Sequence, residues 1–218
     1  MTLTREELAK RIDHTLLRPE ATPADIDALC REAALLGTAS VCVNALYVPR
    51  CRAALAGSEV LVCAVAGFPL GACGSGAKAY EAAKAVEAGA DEVDMVLPVG
   101  LLISGDYSAV LGDIAAVVAA AGGKTVKVIL ETCLLTSEQI ARGCKLSEEA
   151  GAHFVKTSTG FAAEGATEEN VRLMRKACSL PVKAAGGIRT ATRALAMLQA
   201  GASRLGASKT AEILREIG

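Results

Sequence analysis

Short apolar runs recur at residues 11–14, 40–44, 60–66, 92–97, 125–131, 154–157, 182–185 and 204–206, and alanine-rich stretches with helical start signals lie between them. Runs this short, alternating regularly with helical segments, read as buried strands of a parallel sheet. The helical stretches open on caps. Thr22-Pro23-Ala24-Asp25 sets a capping hydroxyl before a first-turn proline, and Thr136-Ser137-Glu138-Gln139 is a capping box. Thr4-Arg5-Glu6-Glu7 is another and predicts a short extra helix ahead of the first strand. The stops are marked as well. Ala88-Gly89-Ala90, Ala150-Gly151-Ala152 and Ala200-Gly201-Ala202 each follow a helix-like stretch and precede an apolar run, as a glycine C-cap feeding a strand does.

Strict alternation has two common solutions, the open doubly wound sheet and the closed barrel. Roughly eight strands is the barrel number, and no G-x-G-x-x-G follows an early strand. The expected fold class is therefore α/β, a (β/α)8 TIM barrel with a short extra N-terminal helix, forming a single catalytic domain over residues 1–218. In that fold reactive side chains collect at the C-terminal ends of the strands.

Composition narrows the function. Hydrophobic residues make up 52% of the chain, enough for one sizeable core. A net charge of -1 and 3% aromatics supply neither the basic footprint nor the stacking surfaces of a nucleic-acid binder. No apolar stretch reaches membrane-span length and the N-terminus lacks a basic-then-apolar layout, so a cytoplasmic protein without a membrane partner is expected. The cysteines form no C-x-x-C pair and read as small hydrophobes, His14 and His153 read as structural, and no metal or other cofactor is expected.

Two of the apolar runs end unusually. Phe154-Val155-Lys156-Thr157-Ser158-Thr159-Gly160 and Pro181-Val182-Lys183-Ala184-Ala185-Gly186-Gly187 each bury a lysine just before glycine, and desolvating an ammonium is costly. Strand alternation puts Lys156 and Lys183 on the lumen side of consecutive strands, with their nitrogens roughly 5–7 Å apart. An unperturbed lysine, with pKa about 10.4, is only about one part in 2,500 free amine at pH 7. Two charges ~5 Å apart at an effective dielectric of ~20 repel by about 3 kcal/mol, and desolvation adds to this. Together they bring one amine towards the neutral form that attacks a carbonyl. Asp94, at alternate spacing in Glu92-Val93-Asp94-Met95-Val96, is placed for the same lumen and for proton relay. Asp13 and Lys127 have the same look and would extend a charge network around the reacting pair.

The glycines suggest a ligand. Gly186-Gly187-Ile188-Arg189 and Gly206-Ala207-Ser208-Lys209 lead from strands into helices, and Gly160 follows Lys156. Bare backbone N–H groups at such junctions favour phosphate, which barrels often hold after the seventh and eighth strands. Spacing alone leaves second readings open: lysines snorkelling to solvent, a structural Asp94, glycines that only turn the chain.

Six separated motifs resemble the deoxyribose-phosphate aldolase family: Ile12-Asp13-His14-Thr15-Leu16-Leu17, Gly67-Phe68-Pro69-Leu70-Gly71, Asp91-Glu92-Val93-Asp94-Met95-Val96, Val126-Lys127-Val128-Ile129-Leu130-Glu131-Thr132, the Lys156 segment through Phe161, and Lys183 through Thr190. The resemblance implies a class I, metal-free aldolase interconverting 2-deoxy-D-ribose 5-phosphate with glyceraldehyde 3-phosphate and acetaldehyde. It matches Lys156 to the Schiff-base lysine, Lys183 to the partner that lowers its pKa, and Asp94 to the proton-shuttling carboxylate. Gly160, Gly186, Gly187, Gly206, Ser208, Asp13, Thr15, Thr157 and Lys127 are then the expected substrate and phosphate contacts. Lys209 departs from the family pattern of two serines and is either a phosphate contact or a solvated side chain. Another lysine-imine aldolase or transaldolase, or a non-catalytic barrel binding sugar phosphates, are the alternative functions. A homodimer formed through an exposed apolar patch is left open.

Overall fold

Capping hydroxyls and glycine stops divide the chain into alternating helices and strands. The structure, a computed structural model, describes residues 3–217; Met1, Thr2 and Gly218, which fall in the expected single domain, lie outside the described residues. The order is α1 (Arg5–Ala9), β1 (Ile12–Leu16), α2 (Pro23–Leu36), β2 (Ser40–Val43), α3 (Val48–Ala54), β3 (Leu61–Ala66), α4 (Ser75–Glu87), β4 (Glu92–Val96), α5 (Val99–Ser104), α6 (Tyr107–Ala120) and β5 (Thr125–Ile129). It continues with α7 (Ser137–Glu149), β6 (Phe154–Lys156), α8 (Glu168–Ala177), β7 (Val182–Ala185), α9 (Ala191–Gln199), β8 (Ala202–Ala207) and α10 (Thr210–Arg215). All neighbouring strands pair in parallel, and β8 returns to β1 to close the barrel β1-β2-β3-β4-β5-β6-β7-β8. The expected (β/α)8 class is the observed one.

Each expected cap is made. Thr4 with Glu7, Thr22 with Asp25 and Thr136 with Gln139 form reciprocal capping boxes, and Pro23 occupies the first turn of α2. A cap of this kind contributes about 1 kcal/mol. Gly89, Gly151 and Gly201, just past α4, α7 and α9, take positive φ and release the chain into β4, β6 and β8. The extra helix α1 packs on α10 and carries Leu8 and Ala9 into the core.

Alternation along the strands separates two environments. Val93, Met95, Val126, Val128, Val155, Val182, Ala184 and Leu205 face the helices in one apolar layer, and Val41, Val43, Val62 and Ala64 do so in a second. The opposite faces of β1, β4, β5, β7 and β8 carry Asp13, Asp94, Lys127, Lys183 and Arg204, which touch one another and so must meet inside the barrel. A lumen normally filled by branched aliphatics is here an ionic cluster, with Cys42 and Cys63 supplying the β2 and β3 sector. Among the described residues no helix is long and apolar enough to cross a membrane.

β5 is shorter than the apolar run predicted, because Glu131 adopts φ +56° and the chain leaves the sheet after Ile129. β8 is longer than its run, extending over Ala202–Ala207. His14 faces outward, its imidazole held between Thr210 of α10 and Glu32 of α2 at 2.8 Å each.

Candidate active site

Lys156 stands on the last residue of β6, where Nζ donates to Asp94 Oδ2 at 2.8 Å. Lys183 Nζ donates to that same oxygen from β7 at 2.7 Å. One carboxylate oxygen thus joins the two ammonium groups, which the pairing of Lys156 with Lys183 across β6 and β7 already sets side by side. Asp94 Oδ1 accepts from Lys127 Nζ at 2.9 Å and from the Cys63 thiol at 3.2 Å. Deeper in the lumen, Lys127 meets Glu92 at 2.6 Å, Arg204 meets Asp13 at 2.6 Å and Glu92 at 3.5 Å, and Asp13 also pairs with Lys183.

Burial opposes charge throughout this cluster, and partners overcome it. Burial alone would raise the Asp94 carboxyl, but Lys127, Lys156 and Lys183 hold it well below the usual carboxylate range. Asp13 is lowered likewise by Lys183, Lys127 and Arg204 against its own burial. Burial would push Lys183 down; the Asp13 and Asp94 carboxylates outweigh it and keep Lys183 a firmly held cation. Lys127 is raised in the same way, chiefly by Asp94 once burial is overcome.

Access distinguishes the lysines. A cavity of about 320 Å³ opens onto Lys156, whereas Lys183 and Lys127 are completely buried. Of the expected contacts, Thr15, Gly160, Gly186, Gly187, Gly206 and Ser208 line this cavity. Asp13, Asp94 and Lys127 lie under its floor without reaching it. Thr157 does not line the cavity either: its hydroxyl donates to Ala185 O and accepts from Ala185 N at 3.1 Å, fastening β6 to β7. Lys209 stays outside the cavity and pairs with Glu212 at 3.2 Å. Arg189, just ahead of α9, and Arg18 supply positive charge to the cavity wall.

The glycine-rich end of the cavity is built of bare backbone. Gly160 and Gly186 take φ +87° and +90°, and a Cβ placed on Gly165 would lie 2.2 Å from Gly186 O. On another wall Phe161 meets Phe68 edge to face, with ring centroids 5.2 Å apart.

Several participants escaped sequence reasoning. Glu92 and Arg204 stand two residues from Asp94 and Gly206, so alternation alone could have assigned them to the lumen. Cys42, Cys63 and Asp94 gather donor atoms within 4.8 Å of one another, from three strands whose sequence spacing hides the grouping. Both Asp94 oxygens already meet ammonium groups, so a divalent cation would enter against three positive charges. The role of Glu131, whose carboxylate accepts from Thr159, has no sequence signature.

The family described as DeoC/LacD family aldolase matches residues 8–217. The deoxyribose-phosphate aldolase of Clostridium kluyveri is 53% identical over 217 residues, covering 98% of this chain and 100% of the relative. That of Brevibacillus brevis is 56% identical over 207 residues, covering 94% of each. The structure of deoxyribose phosphate aldolase from Aeropyrum pernix, described as tetrameric, superposes with a TM-score of 0.92 at 35% identity, over 97% of this chain and 91% of that one.

Proposed function

The chain belongs to the DeoC/LacD family of aldolases, and on that premise we propose that it cleaves 2-deoxy-D-ribose 5-phosphate reversibly to D-glyceraldehyde 3-phosphate and acetaldehyde through an imine on Lys156. The single observation that carries the residue assignment is the shared Asp94 oxygen: it ties a cavity-facing amine to a completely buried cation.

The chemistry follows from that sharing. Lys156 adds as the free amine to the open-chain aldehyde carbon, and loss of water from the carbinolamine gives the iminium. Deprotonation of the sugar 3-hydroxyl breaks the bond between its second and third carbons, and the electron pair passes into the iminium to form an enamine. Glyceraldehyde 3-phosphate leaves; protonation of the enamine carbon and hydrolysis then release acetaldehyde and restore the amine. A proton given up by Lys156 leaves Asp94 still paired with Lys127 and Lys183, so no bare anion is stranded in the lumen. Asp94 Oδ2 is within one hydrogen bond of the reacting nitrogen and serves as the group through which protons are exchanged. Lys183, kept charged by two carboxylates, adds a fixed positive field beside the nitrogen.

A sugar phosphate suits the cavity at both ends. Its volume of about 320 Å³ is within the range of small-ligand sites. Gly160, Gly186, Gly187, Gly206 and Ser208 form the phosphate cradle in this reading, with Arg18 and Arg189 as neighbouring cations. A cytoplasmic homodimer completes the proposal, its interface drawn from exposed apolar residues such as Leu46, Leu70 and Tyr80; light scattering on the purified protein and cell fractionation test these two statements.

The decisive experiment is borohydride reduction in the presence of acetaldehyde followed by peptide mass spectrometry. An N-ethyl group on Lys156 is expected. An adduct on a different lysine overturns the assignment of the nucleophile, and the absence of any adduct overturns the imine mechanism.

A further inference from the structure

Glu131 is a buried carboxylate for which no ion pair is formed among the described residues, and its backbone takes φ +56°, a region in which side chains other than glycine are strained. The kink lies between two bonds that tie this segment to the end of β6: Leu130 N to Lys156 O and Thr132 N to Thr157 O, both 3.0 Å. It turns the carboxylate onto Thr159, whose amide donates at 3.2 and 3.3 Å to its two oxygens and whose hydroxyl donates to Oε2. The Thr159 hydroxyl in turn accepts from Phe161 N at 3.1 Å. One acidic group therefore fixes the turn Thr159-Gly160-Phe161 from inside.

That turn is part of the cavity wall, next to Gly186. The same loop is pinned further on, where Ala166 N donates to Ala185 O and Gly186 O at 3.1 Å. The Lys156 amine is held by Asp94, and its backbone by the β6 ladder and by Leu130 N; the Glu131 side chain makes none of these bonds. The clamp thus acts on the anion end of the cavity and leaves the amine end to other contacts.

We propose that Glu131 is a positioning residue for phosphate recognition, acting through Thr159 to hold the Gly160 turn against Gly186–Gly187. This rests on the phosphate cradle assigned above. A carboxylate is suited to the task because it accepts from two donors at once without offering a hydrogen, whereas an amide has one accepting oxygen.

The test compares wild type, Glu131→Gln and Glu131→Gly. The glycine variant accepts positive φ without strain, so it removes the clamp from a backbone that still folds. Inorganic phosphate affinity is measured by calorimetry, and kcat and KM are measured for 2-deoxyribose 5-phosphate and for unphosphorylated 2-deoxyribose. Glu131→Gly is expected to weaken phosphate at least about tenfold, the scale of losing hydrogen bonds to a charged group, with Gln in between. KM for the phosphate ester should rise in parallel, with turnover of 2-deoxyribose within about threefold of wild type. Unchanged phosphate affinity in Glu131→Gly, or equal losses on both sugars, overturns the proposal. A wild type that binds phosphate but forms no acetaldehyde adduct instead overturns the aldolase reading, and the phosphate titration still decides the role of Glu131.

Discussion

Among the described residues lysine–carboxylate pairs are buried in two places, and only one of them is arranged for chemistry. Between α4 and α6, Lys78 Nζ meets Asp113 Oδ2 at 2.7 Å, and both side chains are shielded from solvent. Lys78 also donates to Gly71 O at 3.3 Å and passes under Gly67. There one ammonium answers one carboxylate, and neither lines the cavity that opens onto Lys156. In the barrel mouth Asp94 touches Lys127, Lys156 and Lys183 together, Asp13 and Glu92 share Lys127, Lys183 and Arg204, so that four cations meet three carboxylates, and Lys156 borders open space. Burial and ion pairing are common to both; the surplus of cations and the opening are not. A proton can leave the crowded site without stranding a charge, while at the balanced site it would leave a bare anion in an apolar layer.

This contrast makes opposite predictions for the two lysines. Lys156→Ala should lower turnover by at least about 10⁴-fold, the scale of losing a covalent nucleophile, and abolish the reducible adduct. Asp94 keeps two partners, so the urea midpoint should shift by no more than about 1 kcal/mol equivalent. Asp94→Asn should affect both properties. Turnover should fall by about 10²- to 10⁴-fold and the fold should weaken measurably, because three ammonium groups lose their common counter-charge. If the enzyme tolerates this change in both assays, the shared carboxylate is not the organising feature.

Lys78→Ala inverts the pattern. Breaking a buried pair costs about 3–5 kcal/mol, read by urea unfolding, while kcat of the folded enzyme should stay within a few-fold. The double variant Lys78→Met with Asp113→Leu should recover most of that stability; a failure to recover would mean that the Gly71 contact, and not the pair, is what Lys78 contributes.

Much of this arrangement was legible in the sequence. Strand alternation and helix caps are local signals, which is why the strand order and the lumen positions of Lys156, Lys183, Asp94, Asp13 and Lys127 could be anticipated. Lys78 was not, since on a helix it looks like a solvated lysine and its partner lies 35 residues away on another helix. Glu131 was hidden for a different reason: a side chain forced into positive φ leaves no mark on residue pattern. Thr157 shows the limit of motif reading: Lys156, Thr159 and Gly160 beside it line the cavity, while its own hydroxyl is taken up between two strands, an arrangement that sequence order does not reveal.

Titration sharpens the comparison further. Asp13 and Asp94 are lowered, so the stability they contribute is present above the ordinary carboxylate range near pH 4 and is lost only as the pH falls through their depressed native values. Lys183 is raised, so its contribution is complete below about pH 10.4 and is lost as the pH rises through its native value. Asp13, Asp94 and Lys183 should therefore add no slope to stability between about pH 5 and 9. His14 should: burial pushes its imidazole below the ordinary value against the pull of Glu32, so stability falls as the pH drops through about 6.5. Thermal melts of wild type and His14→Gln check the assignment, with the loss of stability below about pH 6.5 expected to be smaller in the variant. The smallest effect belongs to Lys209→Ala, where an exposed pair with Glu212 is lost; KM for the phosphate ester should change by less than about twofold.

The crossing of Gly165 over Gly186 has a practical consequence for redesign. With main chain stacked on main chain, this edge of the cavity offers no side chain to trim, so longer or bulkier acceptor aldehydes cannot be accommodated there by substitution. Library diversity aimed at that end is better invested in loop length, or moved to Phe161, whose ring lines the cavity and rests on Phe68 behind it.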